Sequence, residues 1–247
     1  LTVLRPVYAF EAATPEALYE FALGFDWGAV MAHDATFAID ATIHSEHFPH
    51  SQYALLKLKD AIADHFRTSS RGIRPSVDRE RPDVRVHLHI SHTEVTLSLD
   101  AAGEALSRRG YRPEGAKAPL NECLAAGLLG LAGWNPGVTL YDPMCGSGTF
   151  LLEAAEIAAR LPAGRGRSFA FEELAGFENA DWSAMRRNFS PRKAEAVQFY
   201  GFDRDQGAIT GARANAERAG VADWISFACQ PLSALEPPTK QKGLVIL

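Results

Sequence analysis

The segment Val138-Thr-Leu-Tyr-Asp142-Pro143-Met144-Cys145-Gly146-Ser147-Gly148-Thr149-Phe150-Leu151-Leu152-Glu153 decides the fold. It runs from a short apolar strand through a glycine turn into an apolar helix. Glycines in such a turn let backbone amides approach a ligand and leave a helix N-terminus facing a polar or anionic group. Downstream, residues 197–202 read as a strand, 206–219 as a helix closed by Gly220, and 224–227 and 243–247 as two further strands. Strands alternating with helices imply an α/β unit with a parallel, doubly wound sheet.

Upstream, residues 120–131 form an apolar helical run that stops at Gly133 and Pro136, preceded by a Gly- and Arg-rich stretch over 103–117. The front of the chain has a different rhythm. Residues 14–24 predict a helix with Thr14 as N-cap, Pro15 in the first turn, Leu18, Phe21 and Ala22 on one face, and Gly24 as the stop. Residues 36–43 alternate as a half-buried strand, and 51–67 return to helical spacing with Tyr53, Leu55, Leu56, Ile62 and Phe66 as core contacts. Val84, Val86, Leu88 and Ile90, then Val95, Leu97 and Leu99, repeat with period two and read as a hairpin. An α+β domain over 1–104 and an α/β domain over 105–247 are therefore expected, with the boundary near 104–118.

Composition narrows the classes. Apolar residues make up 47% of the 247 and charged ones 22%, ordinary globular usage that excludes a disordered, collagenous or coiled-coil chain. No apolar run reaches the roughly 18–20 residues of a membrane span, and no charged-then-apolar leader pattern is seen, so a cytoplasmic location is expected. Cys123, Cys145 and Cys229 are widely spaced and suggest neither a disulfide framework nor a zinc site. His44, His47 and His50, and His87, His89 and His92, lack the Cys or carboxylate spacing that would complete a metal site, so no metal is expected. The four tryptophans, Trp27, Trp134, Trp182 and Trp224, read as core or interface anchors.

Three ligand identities compete for the glycine turn. A phosphate-cradling P-loop requires a lysine after the glycines, and Thr149 follows Gly148 instead. A dinucleotide fingerprint needs a small residue where Leu151 stands, because close helix–strand packing depends on it. An acidic residue at the strand end followed by Gly-x-Gly suits S-adenosylmethionine, whose amino-acid portion the turn would hold. Asp203, in Tyr200-Gly-Phe-Asp203-Arg204-Asp205, ends the next strand and can accept both ribose hydroxyls. The expected cofactor contacts are Asp142, Pro143, Met144, Cys145, Gly146, Gly148, Thr149, Asp203 and Arg204. The alternative makes Asp142 and Asp203 mere helix caps. Cys145 as a nucleophile has no adjacent base and reads as loop packing.

The net charge of −5 means that a nucleic-acid partner must be met by a local basic patch. Arg67, Arg71, Arg74, Arg79, Arg81 and Arg85 outnumber Asp78, Glu80 and Asp83, a pattern that a solvated loop shares. Arg108, Arg109 and Arg112 cluster around Gly110 and Tyr111. The expected RNA contacts are Arg67, Arg71, Arg74, Arg108, Arg109 and Arg112.

The motif Asp142-Pro-Met-Cys-Gly-Ser-Gly-Thr149 with Leu152-Glu-Ala-Ala155 closely resembles motif I of the THUMP-domain-containing class I RNA guanine-N2 methyltransferases. Ser107-Arg-Arg-Gly-Tyr-Arg112, Ala118-Pro-Leu-Asn-Glu122 and Leu124-Ala-Ala126 are similar to that family's linker and first helix; Lys59-Asp-Ala-Ile-Ala-Asp64 and Arg74-Pro-Ser-Val-Asp78 are similar to its front domain. The resemblance implies a THUMP-type RNA-binding domain, a Rossmann-like methyltransferase domain with a mostly parallel sheet, and S-adenosylmethionine as donor. The expected reaction is methylation of the exocyclic amine of a guanosine in large-subunit (23S) ribosomal RNA. A tRNA-specific relative, a DNA amino methyltransferase, and an RNA-binding module with a vestigial pocket are the alternatives.

Three departures accompany the resemblance. Asn121 stands where the ribosomal enzymes usually carry a basic residue. The run Phe227-Ala-Cys-Gln-Pro231-Leu232 has no aspartate near the adenine, which leaves that contact to backbone or Arg204. The family's catalytic tetrapeptide, Asn or Asp followed by Pro-Pro-Tyr or Phe, is expected just after Leu247, so the chain as given is expected to hold donor and RNA without transferring a methyl. A guanine amine is a poor nucleophile that must be oriented and relieved of its hydrogens, and that tetrapeptide would do so against an extruded base.

Overall fold

The computed structural model describes residues 2–70, 72–112, 120–174, 177, 179–196 and 198–247. The chain divides into two compact units, one of Thr2–Ala105 with Ser168–Asn179, the other of Leu106–Arg167 with Ala180–Leu247. Arg71, residues 113–119 of the expected linker and Val197 of the expected strand lie outside the described residues.

The first unit contains strand β1 (Leu4–Glu11), helix α1 (Pro15–Gly24), strand β2 (Thr36–His44), helix α2 (Ser51–Ser69), and strands β3 (Ser76–Val77), β4 (Val84–Ser91) and β5 (Glu94–Asp100). They form a mixed sheet in the order β1-β5-β4-β2-β3, with β2 parallel to β4 and the β4–β5 hairpin antiparallel. Thr14 caps α1 by accepting the Ala17 N–H at 3.1 Å. Strict alternation in β4 buries Val84, Val86, Leu88 and Ile90, which meet Leu58, Ile62 and Phe66 of α2 in one core. Trp27 is fully buried there and donates its indole N–H to the Ala22 carbonyl at 2.8 Å, so its one polar atom is satisfied.

Helix α2 buries Ile62 and Phe66 as expected, leaves Leu55 half-buried, and exposes the other two residues assigned to its core. Ala54, Leu58, Ala61, Ile62 and Phe66 follow the 3.6-residue period on the buried side, whereas Tyr53 and Leu56 fall outside that stripe and are exposed. Phe21 of α1 is likewise exposed and stacks on Phe10. Strand β1 carried no clean period-two signal because Pro6 interrupts it. As an edge strand it tolerates the missing N–H, and its register shifts between Pro6 and Tyr8.

The second unit contains helix α3 (Glu122–Leu131), strand β6 (Thr139–Asp142), helix α4 (Thr149–Ala158), residues of helix α5 (Asn179–Arg187), strand β7 (Phe199–Asp203), helix α6 (Gln206–Ala219), and strands β8 (Ile225–Cys229) and β9 (Gly243–Val245). Its four strands are all parallel, in the order β8-β7-β6-β9. Leu140 and Phe199 of the sheet pack with Leu151, Leu152 and Ala155 of α4 and Ile209 and Ala212 of α6. The close helix–strand contact that a small residue at 151 would have allowed is supplied from the strand side. A Cβ at Gly201 would stand 2.6 Å from Leu151 Cδ1 and 2.7 Å from Phe227 Cδ1, so only glycine lets α4 approach.

The strand order fixes where a ligand can go. From β6 the chain winds outward through β7 and β8, then returns to place β9 on the other side of β6. The carboxyl end of β6 is therefore a topological switch point, where crossovers diverge and leave a crevice. Asp142 ends that strand. Among the described residues, no helix is long and apolar enough to cross a membrane.

Candidate functional site

At the carboxyl end of β6 the chain makes a tight, fully tethered turn. Asp142 Oδ1 accepts the Met144 N–H at 3.2 Å, Cys145 donates its N–H to the Phe202 carbonyl at 2.8 Å, and Gly148 donates to the Cys145 carbonyl at 2.8 Å. Gly146 and Gly148 have φ of +52° and +83°, in the left-handed region that strains any residue with a Cβ. At Gly148 the missing side chain is also a steric requirement, because a Cβ would lie 2.8 Å from Leu152 Cδ1 and 3.0 Å from Phe227 Cζ. At Gly146 a Cβ would meet nothing within 4 Å. The first glycine faces open space and the second faces the core.

That open space is a cavity of about 630 Å³, within the usual range for small-molecule sites. One wall is the turn, including Asp142, Met144, Cys145, Gly146 and Thr149. The opposite wall is α6, where Gly207, Gly211, Asn215 and Arg218 recur at intervals of four and three residues on one face. Asp205, Leu120 and Arg112 complete the lining used below. None of these last residues was expected as a site residue in this role; the glycine and asparagine spacing along 207–215 is the sequence signal that points to the wall.

The electrostatics of the turn are set by burial. Asp142 is 4% exposed, and desolvation, with the Asp203 charge adding to it, pushes its carboxyl up to about 6 against the pull of the Met144 N–H. Burial likewise pushes the Cys145 thiol far above its ordinary value, with the Asp142 and Asp203 charges reinforcing it, so it is no thiolate nucleophile. Asp203 accepts the Gly146 N–H on Oδ2 and the Asp205 N–H on Oδ1, each at 2.9 Å. It thereby ties the end of β7 to the turn. Pro143 faces a different, apolar cavity of about 320 Å³ with Phe202 and Pro238, and the Arg204 side chain is exposed outside the main cavity.

Two of the arginines expected to meet RNA are used inside the unit. Arg109 forks onto Glu153 at 3.3 and 3.1 Å, and the Tyr111 hydroxyl donates to the same carboxylate at 3.2 Å. Arg112 donates to Glu122 Oε1 at 2.7 Å and to Thr149 Oγ1 at 2.6 Å. Each guanidinium side chain is 11% exposed, so the structure corrects their reading as phosphate contacts: they hold residues 106–112 against α3 and α4. Arg108, Arg67 and Arg74 are exposed, with Arg67 paired to Asp64. Among the described residues no group of three His, Cys, Asp or Glu side chains stands close enough to hold a metal ion.

The residues present fit a small amphoteric ligand. A glycine cradle opens beside a buried carboxylate, at a helix N-terminus whose first amides have no intrahelical partners. Residues 109–247, more than half of the chain, match the family described as RMKL-like, methyltransferase domain, and residues 12–100 match the THUMP domain. The chain belongs to the RMKL-like methyltransferase family. It is 38% identical over 99% of its length to the ribosomal RNA large subunit methyltransferase K/L of Desulfotalea psychrophila, but spans only 35% of that relative. Among solved structures, this RMKL-like chain superposes with a TM-score of 0.87 and 27% identity on a protein from Listeria monocytogenes described as a predicted N6-adenine-specific DNA methylase, over 97% of this chain and 63% of that one. It superposes with a TM-score of 0.84 and 26% identity on SMU.472, crystallised as a complex with SAH, over 98% of this chain and 65% of that one.

Proposed function

We propose that this chain is the donor-holding and RNA-holding part of an S-adenosylmethionine-dependent RNA methyltransferase whose target is the exocyclic N2 amine of a guanosine in large-subunit (23S) ribosomal RNA. The observation that carries this reading is the cavity at the switch point, bounded by the two-glycine turn and the buried Asp142. In this reading residues 1–104 are the THUMP-type RNA-binding domain and 105–247 the donor-binding domain. The family match and the K/L relative's name support ribosomal RNA as the substrate class over tRNA.

When bound, the donor supplies an electrophilic methyl group on a sulfonium. The chain's own residues bind and orient it. Asp142 faces the cationic amino-acid end, and Met144, Cys145, Gly146, Gly148 and Thr149 form the turn around it. Asp203 accepts the ribose hydroxyls on the lone pairs left by its two backbone contacts. Pro143 stiffens the turn, and Arg204 lies next to Asp203 for the adenine side. RNA phosphates are met by exposed arginines, Arg67, Arg74 and Arg108 among them.

Calorimetric titration of the chain with S-adenosylmethionine tests the proposal. One-to-one binding, weakened at least about tenfold by Asp142→Ala, is expected for removal of a charged partner. Absence of any binding heat contradicts it and favours an RNA-binding module whose pocket is vestigial. The lack of a carboxylate in the run from Phe227 to Leu232 is the feature that reading rests on.

A further inference from the structure

Residues 159–167 and 180–193 of the second unit carry seven basic side chains against one acid, Asp181, on a chain whose net charge is −5. Two of the seven build a frame. Arg165, in the turn after α4, donates from Nη2 to Glu156 Oε1 at 2.7 Å and to the Ala219 carbonyl at 2.6 Å, which pins the turn to α4 and to the end of α6. Arg186 of α5 donates to the Arg165 and Arg167 carbonyls at 3.3 and 3.2 Å, and the Arg192 N–H donates to the Ala159 carbonyl at 2.9 Å. The end of α5 and the segment after it therefore lie along the 159–167 turn.

Four others face outward. Arg160, Arg187, Arg192 and Lys193 are exposed, and among the described residues none of these four side chains has an ion-pair or hydrogen-bond partner. Helix ends account for two of them at most. Arg160 follows the end of α4 and Arg187 is the last residue of α5, where a cation offsets the negative end of the helix dipole. Arg192 and Lys193 belong to no helix. Like charges gathered on one frame repel one another, and an anion that spans them relieves that repulsion. Three of the four are guanidiniums, whose planar forks match phosphate oxygens. Met185 is the one exposed large apolar side chain among the described residues of these two stretches, too little apolar surface for a helix lying in a bilayer interface.

We propose that Arg160, Arg187, Arg192 and Lys193 form an RNA-phosphate surface on the second unit, separate from the donor cavity. Thr149, the first residue of α4, lines that cavity, and Arg160 lies beyond the helix's last residue. Ten helical residues at 1.5 Å each put about 15 Å between them. The surface therefore grips a stretch of the substrate other than the nucleotide presented to the donor. The inference rests on the RNA reading given above and adds to it a second anchor, outside the first unit.

The test titrates the full chain against a fluorescently labelled hairpin RNA of large-subunit ribosomal sequence, read by anisotropy over a series of salt concentrations. One variant carries Arg160→Gln, Arg187→Gln, Arg192→Gln and Lys193→Gln together; a second carries Arg160→Lys, Arg187→Lys and Arg192→Lys. The glutamine variant is expected to lower the salt slope by about 3, at roughly 0.7–0.9 for each of the four contacts, and to weaken binding at physiological salt by about tenfold to a few hundredfold. The lysine variant is expected to keep the wild-type slope, because counterion release follows charge. Urea midpoints and S-adenosylhomocysteine affinity are expected to stay at wild-type values in both. An unchanged slope in the glutamine variant overturns the surface while the RNA reading stands, and loss of binding to phosphatidylserine vesicles with that slope unchanged overturns it in favour of a membrane. A lowered urea midpoint that accounts for the lost RNA binding assigns the four residues to the fold and overturns it too. A wild-type chain that binds no RNA overturns the RNA reading itself, and this inference with it.

Discussion

Substituting the two turn glycines separates the ligand-facing side of the turn from its core-facing side. In Gly148→Ala the backbone strain of an L-residue at φ +83° costs about 1–2 kcal/mol. The new Cβ then sits 2.8 Å from Leu152 Cδ1 and 3.0 and 3.2 Å from two atoms of the Phe227 ring. Leu152 can rotate its terminal methyl aside, but the Phe227 ring is packed in the core beside Leu151 and cannot, so overpacking adds about 1–3 kcal/mol. The sum, about 2–5 kcal/mol, is a large share of the ordinary 5–15 kcal/mol stability of a domain. Gly146→Ala carries only the backbone cost, about 1–2 kcal/mol, because its Cβ meets nothing within 4 Å. That Cβ projects beside the cavity, so its main effect is on ligand affinity, by about tenfold or more. Urea unfolding followed by tryptophan emission, with donor titration of each variant under native conditions, reads both quantities. Equal midpoints for Gly148→Ala and wild type, or a Gly146→Ala variant that is the less stable of the two, would refute the geometry argued here.

Four further outcomes are expected. Asp142 binds its proton more tightly in the folded chain than in the unfolded one, so its contribution to stability is full below the ordinary carboxylate range and is lost as pH rises toward about 6; the loss is about 2–3 kcal/mol and vanishes in Asp142→Asn, as pH-dependent melts will show. A cationic ligand favours the ionised form, so donor affinity should rise with pH up to about 6 and flatten above it, and a flat profile from pH 5 to 8 contradicts this. Glu153→Ala leaves the Arg109 guanidinium buried without its carboxylate and is expected to cost about 3–5 kcal/mol in denaturant unfolding, whereas Leu58→Ala in the first unit costs about 2–5 kcal/mol by cavity formation. Replacing Arg67, Arg74 and Arg108 by Ala should weaken RNA binding and reduce its salt slope by about 0.7–0.9 for each lost phosphate contact; an unchanged slope removes them from the interface.

The strand–turn–helix around Asp142 was legible because three signals coincide there, an apolar run, a pair of glycines and a helical period. The hairpin of β4 and β5 was equally plain, since Val84 to Ile90 alternate without a break. Strand β1 was not, because Pro6 erases the alternation and only tertiary pairing with β5 makes the segment a strand. Tyr53 and Leu56 were assigned to the core of α2 together with Ile62 and Phe66, but its buried stripe runs through Ala54, Leu58 and Ala61 instead, and the alanines at 54 and 61 carry little hydrophobic signal. The roles of Arg109 and Arg112 depend on carboxylates distant in sequence, Glu153 and Glu122, the first of them on the buried face of α4, so a local count of charges could only read them as surface. The second cavity wall, from Gly207 to Arg218, left only the glycine and asparagine spacing along 207–215 as a signal in the sequence, and that spacing becomes a wall once α6 is laid beside the turn.

A crystal structure of the chain soaked with S-adenosylhomocysteine tests the central claim most directly. The account predicts density between the turn and the 207–218 face of α6, with the ligand's amino-acid end beside Asp142 and its ribose hydroxyls on Asp203. Density in the apolar cavity beside Pro143, or a turn that closes the main cavity against the ligand, would contradict it.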